Sequence, residues 1–139
     1  MRPDDNATRF ELVRYFHGRI LDISDGVSRC YPHFISHIDC RIENPSDLSL
    51  FADKKLDGIC SSYVLHLMGE DERKEVIKEW SRVVRDGGHI MLHLPLNHEN
   101  ALWSVTYENI VSLMSTLSRG WDLVKHQEGD DCLSVFRLQ

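Results

Sequence analysis

The chain lacks any apolar run approaching the roughly 20 residues that a helix needs to cross a bilayer, and its opening "MRPDDNATRF" is polar, unlike the apolar core of a secretory leader. Neither a membrane span nor a cleaved leader is expected, and a cytoplasmic location is. Positive charge is also short: 16 Lys and Arg stand against 22 Asp and Glu, for a net charge of −6 with no basic stripe. The electrostatic footprint of a nucleic-acid binder is therefore missing. The four cysteines, Cys30, Cys40, Cys60 and Cys132, form no CxxC pair, which suits reduced thiols better than a disulfide frame. His33 and His37 have helical i, i+4 spacing with Cys40 nearby, but Pro32 opposes a regular helix there, and no metal is expected. The GxGxxG fingerprint is absent, so the bare amides that cradle a dinucleotide's diphosphate are missing and a nicotinamide enzyme is disfavoured. No internal repeat, low-complexity tract or linker is visible.

What is present fits one globular domain over residues 1–139, with 42% hydrophobic and 27% charged residues. Asn6 to His17 reads as an amphipathic helix through Phe10, Val13 and Phe16, stopped by Gly18. "RILDI" reads as a strand, "SRCYPHF" as a short irregular helix and "ISHID" as a second strand. "CRIENPSDLSLFADKK" is mostly turn chemistry, and "LDGICSS" is an apolar run of the kind buried in a parallel sheet. Between Glu70 and Arg85, Val76, Ile77, Trp80, Val83 and Val84 share one helical face; "RDGG" ends that helix and releases "HIMLHLP" as a strand. "TYENIVSLMSTLS" is a further helix, and "WDLVKHQ" with "CLSVFRL" flanks the turn "EGDD" as an antiparallel pair. Alternating strands and helices closing in a hairpin specify an α/β, Rossmann-like, doubly wound and mainly parallel sheet with a C-terminal antiparallel hairpin. Ligands of such sheets lie at the carboxyl ends of the strands, where strand order switches.

Two segments at their mutual spacing, "LDGICSSYVLHLM" and "EWSRVVRDGGHIMLHLP", resemble the pattern of small class I, "type 11", S-adenosylmethionine-dependent methyltransferases, from about residue 9 to the end. "SDLSLF" is similar to the segment that lies against adenine in that family, and the closing hairpin is similar to that of small methyltransferases of glycan gene clusters. The resemblance implies S-adenosylmethionine as cofactor. The first loop, "LDISDGVS", keeps Leu21, Asp22 and Gly26 but has Ser24 and Ser28 where the family writes glycine. A side chain at such a position costs about 1 kcal/mol or more in strain or crowding, which lowers the expected affinity.

On that basis Asp22, Ser24 and Gly26 are expected at the cofactor's methionine end, with Ser61 and Ser62 beside them, Asp39 on the ribose hydroxyls, and Asp47 and Leu48 on adenine. Methyl transfer needs mainly alignment of the reactants, but a hydroxyl acceptor gains from a general base. Four histidines qualify: His37, His66, His93 and His98. His98, in "LPLNHEN", is preferred and His66 comes next. The expected function is methyl transfer to a small-molecule or carbohydrate acceptor, as O-methylation, with a catalytically inactive binding or assembly module as the alternative. So little chain covers the carboxyl edge that a second subunit, in a homodimer, is expected to help close it.

Overall fold

In the computed structural model, residues 12, 14–24, 45–96 and 101–139 are described in full, and residues 36–39 by their backbone. Six strands form one sheet in the order β2-β1-β3-β4-β6-β5. They are β1 (Ile20–Ser24), β2 (Ser36–Asp39), β3 (Leu56–Ser62), β4 (Val84–Pro95), β5 (Trp121–Glu128) and β6 (Asp131–Leu138). The first four run parallel to one another, whereas β6 pairs antiparallel with both β4 and β5. The expected mainly parallel sheet closed by a hairpin is thus the observed one.

Period-two alternation sorts the strand residues into two cores. Leu21, Ile23, Ile59, Ile90, Leu92 and Phe136 face helices α1 (Glu70–Val83) and α2 (Tyr107–Met114), whose Val76, Ile77, Trp80, Ile110, Leu113 and Met114 complete the larger cluster. Ile20, Cys60, Met91, Leu133 and Val135 face the other way, onto Leu12 and Phe16. α1 opens with Glu70, Asp71 and Glu72 and has Arg82 in its last turn, the charge order that complements the helix dipole.

Two ends differ from the sequence reading. α1 stops at Val83 because Val84 already pairs with Leu56, and Gly87, at φ 79°, makes the turn inside a bulged β4. α2 stops at Met114 rather than running to residue 118. Ser115 Oγ donates to the Val111 carbonyl at 2.8 Å and Thr116 Oγ1 to that of Leu113 at 2.7 Å, each beside the backbone N–H of its own residue, so these carbonyls at the helix end are each bonded twice. The expected first helix, Asn6 to His17, and the one around residues 28–34 fall largely or wholly outside the described residues.

Candidate active site

The chain leaves β1 for β2 on one side and then crosses to β3 on the other, so the switch of strand order lies between β1 and β3. At their carboxyl ends the register sets one transverse row: Asp39 beside Ser24, Ser24 beside Ser62, Ser62 beside His93, and His93 beside Leu133. At the usual interstrand spacing the four polar members span about 14 Å. Ser24 and Ser62 are fully buried and Ser61 almost so. Asp22 lies two residues earlier on β1, buried beside Cys60 on the Leu12 and Phe16 side.

His93 binds partners on both ring nitrogens. Nδ1 lies 3.2 Å from Ser62 Oγ and Nε2 lies 3.0 Å from Asp131 Oδ2. Asp131 Oδ1 accepts from the Tyr63 hydroxyl at 2.6 Å. A carboxylate only accepts, which puts the ring proton on Nε2 and leaves Nδ1 to accept from the serine. Tyr63 reaches this position from a left-handed backbone at φ 59°, a conformation costing about 1–3 kcal/mol in a residue with a side chain. Its N–H donates to the His93 carbonyl at 2.9 Å, and the two rings lie 4.9 Å apart. The strained turn at the end of β3 thus aims a hydroxyl at Asp131.

His66 is buried in a 3₁₀ turn, Leu65–Leu67, with its ring edge-to-face on Tyr63 at 5.8 Å and its carbonyl accepting from Leu102 N–H. Asp47 and Leu48 are not brought to the row. The Leu48 N–H donates to Glu79 Oε2 at 3.3 Å and its carbonyl accepts from Arg82 Nη2 at 3.0 Å. Glu79 and Arg82 lie near the end of α1, which runs back to the edge where strands begin, so this segment sits away from the carboxyl edge. Asp47 is exposed, and hydrogen bonds from Ser49 hold its carboxyl below the usual carboxylate range. Gly26, His98, His33 and Cys40 lie outside the described residues, as do the side chains of His37 and Asp39. Trp103 is half-buried against the core with the Arg73 guanidinium 4.7 Å above its ring, so it packs. A groove of about 1020 Å³ between α1 and the turn at residues 116–119 contains no member of the row.

The donor set suits an adenosyl sulfonium. Small serines end β1 and β3, and the Asp39 backbone is in register beside Ser24 at the switch of strand order, where ligands of such sheets lie. A methyltransferase domain model matches residues 13–92, more than half of the chain. The chain belongs to the methyltransferase domain family. Its cofactor is S-adenosylmethionine. Among solved structures, this methyltransferase domain resembles a SAM-dependent methyltransferase from Archaeoglobus fulgidus at 13% identity and TM-score 0.68, covering 94% of this chain and 91% of that one. It also resembles Burkholderia thailandensis 1,6-didemethyltoxoflavin-N1-methyltransferase, solved with its substrate and S-adenosylhomocysteine, at 9% identity and TM-score 0.69, covering 99% and 78%. A possible histamine N-methyltransferase from Thermotoga maritima gives 11% and 0.64, covering 96% and 89%. At such identities these likenesses show the fold. Comparison with curated proteins gives no match.

Sequence reasoning named His93 as one of four histidines but ranked it behind His98 and His66. It missed Tyr63 as a polar partner and Asp131 altogether, because "EGDD" reads as a turn. The period-two phase of "HIMLHLP" against "CLSVFRL" carries the signal, but it needs the register that only the folded sheet supplies. The family match ends at Leu92, so His93 and Asp131 belong to the part of the chain beyond it.

Proposed function

We propose that this domain transfers the methyl group of S-adenosylmethionine to a hydroxyl of a small-molecule or carbohydrate acceptor. The observation that carries the proposal is the buried chain Ser62–His93–Asp131, which continues the row from the cofactor side of the sheet. S-adenosylmethionine supplies, when bound, an electrophilic methyl group on a sulfonium. Asp39 accepts hydrogen bonds from the ribose hydroxyls, Ser24 and Ser62 flank the methionine end with Ser61 behind them, and Asp22 and Gly26 shape the first loop. Ser62 receives the acceptor's hydroxyl proton while passing its own to His93 Nδ1. Asp131 holds the ring in the tautomer that can take it and stabilises the charged ring. His66 packs behind this chain, and His98, which follows β4 in the sequence, is the other base proposed.

The carbohydrate preference rests on the resemblance of the closing hairpin to glycan-cluster enzymes. A cytoplasmic setting fits the acidic, polar chain, and a second copy of the chain is the partner proposed to cover the carboxyl edge. The serine at position 24, where the family has glycine, favours a second reading, an inactive binding or assembly module. Thermal melting separates the two. At about 100 times its dissociation constant, S-adenosylhomocysteine stabilises a binder by roughly 2.7 kcal/mol. An unchanged melting temperature at millimolar S-adenosylmethionine and S-adenosylhomocysteine refutes the transferase. Release of S-adenosylhomocysteine in the presence of sugar or phenol acceptors by the wild type and not by His93→Gln supports the hydroxyl assignment.

A further inference from the structure

The hairpin of β5 and β6 carries a second cluster on the face opposite His93. Its register pairs His126 with Ser134 and Glu128 with Cys132. Residues two apart share a face, so all four side chains stand together beside the turn. His126 Nδ1 lies 2.8 Å from Ser134 Oγ, and Nε2 lies 3.1 Å from Glu128 Oε1. Cys132 is buried, with its sulfur 3.9 Å from Ser134 Oγ. One ligand atom each from His126, Glu128 and Cys132 lies within 4.8 Å of the other two.

We infer that His126, Glu128 and Cys132 form a binding site for a divalent, zinc-like cation. Metal–ligand lengths of about 2.0–2.3 Å in a tetrahedron put donors roughly 3.3–3.6 Å apart. The imidazole and carboxylate already have close to that separation, and the thiol needs to move in by about 1 Å. Mixed nitrogen, sulfur and oxygen donors suit zinc and its neighbours rather than magnesium or calcium. Ser134 takes the part of the outer partner that orients a ligating histidine, by accepting from Nδ1–H. The Tyr107 ring, edge-to-face at 5.1 Å, braces the imidazole.

Without metal, a proton on Nε2 bridges to Glu128. With metal, that proton moves to Nδ1, the cation takes its place, and the Cys132 thiol proton leaves to solvent. The exposed Glu128 side leaves the fourth position to water. No sequence spacing announces this site, because residues 126, 128 and 132 converge through the hairpin register alone. Cys132 follows Asp131 directly, so an occupied site would also fix the turn that presents Asp131 to His93.

The test is titration of the full chain with cobalt(II), read by the near-ultraviolet thiolate-to-metal band and the visible bands of a tetrahedral ion. One cobalt per chain with both signals, displaced by zinc, supports the site. Loss of the thiolate band in Cys132→Ser, and weakening by roughly 10- to 100-fold in Ser134→Ala, support it further. Glu128→Gln, at an exposed position, serves if the buried Cys132→Ser variant fails to fold, and it is expected to weaken binding. Absence of a thiolate band at millimolar cobalt, or a band that survives in Cys132→Ser or is unchanged in Glu128→Gln, overturns the proposal.

Discussion

Two substitutions at Asp131 separate its structural work from its chemical work. The carboxylate is nearly buried, at 8% exposure, and accepts from the Tyr63 hydroxyl at 2.6 Å and from His93 Nε2 at 3.0 Å. Asp131→Ala removes both acceptors. A donor deprived of its acceptor in buried surroundings costs about 1–3 kcal/mol, and the half-exposed Tyr63 falls at the low end because water replaces part of what it loses. The sum is about 2–4 kcal/mol, or a fall in melting temperature of roughly 6–15 °C for a chain of 139 residues. Asp131→Asn behaves differently. Its carbonyl still accepts from Tyr63, while its NH₂ donates to Nε2 and drives the ring proton to Nδ1, where it donates to Ser62. Every partner is satisfied, so the expected loss is about 1 kcal/mol or less. Nδ1 can then no longer take a proton, and turnover should fall roughly 10²- to 10⁴-fold. Thermal or urea denaturation of both variants, with S-adenosylhomocysteine release as the activity assay, provides the check. Wild-type stability in Asp131→Ala refutes the buried network, and wild-type turnover in Asp131→Asn refutes the tautomer argument.

The turn inside β4 ranks two glycines. Gly87→Ala meets its nearest atom at 3.3 Å but must adopt φ 79°, costing about 1 kcal/mol, whereas a Cβ on Gly88 would lie 2.6 Å from Val84 Cγ1 and 2.7 Å from the Asp57 carbonyl. Gly88→Ala should therefore cost more, about 1–3 kcal/mol, and urea midpoints in the reverse order would contradict the packing described. His89 sets part of the pH dependence: burial, then the charges of Arg137, Arg85 and His17, hold its pKa below the ordinary value. The unfolded chain consequently binds that proton more readily. The stabilisation is complete above about pH 6.5 and is lost as pH falls through the folded value. His89→Gln should flatten the stability profile on the acid side of neutrality, and an unchanged slope would count against this account.

Much of the fold was legible because the strongest signals are local. The Val76 to Val84 periodicity, the glycines of "RDGG" and the apolar run of "LDGICSS" each fix an element without distant information, and all three were read within a few residues. What was not legible depends on register. Asp39, Ser24 and Ser62 could be named from the strand-end rule, since any residue at a carboxyl end is a candidate. Tyr63 and Asp131 could not, because one is recruited by a positive φ and the other by antiparallel pairing with β4. The placement of Asp47 and Leu48 was not legible for a related reason. "NPSDLSLF" shows the local chemistry of a turn, while its placement is decided by Arg82, which joins the carbonyls of Leu48 and Phe51 and the carboxylates of Asp53 and Glu79. The carbonyl of Pro45 accepts from Trp80 Nε1 in the same way.

The sheet order gives a reason for proposing proton transfer around β4 rather than β2. β2 has four residues and, among the described residues, pairs on one side with β1 and ends the sheet. A short edge strand avoids pairing with another chain, but it offers a ladder partner on one flank alone. β4 has the opposite circumstances, with twelve residues, a parallel partner in β3 and an antiparallel partner in β6. A side chain at its carboxyl end can be held from both flanks, and His93 is, by Ser62 on one side and Asp131 on the other. A proton acceptor must keep one tautomer and one orientation while the acceptor molecule comes and goes, and only a flanked strand supplies that. Cofactor affinity, by contrast, tolerates a looser partner, since several weak contacts along the row add. Under the proposed function the division of labour follows from strand order: binding across the β2–β1–β3 side, proton handling on the β3–β4–β6 side.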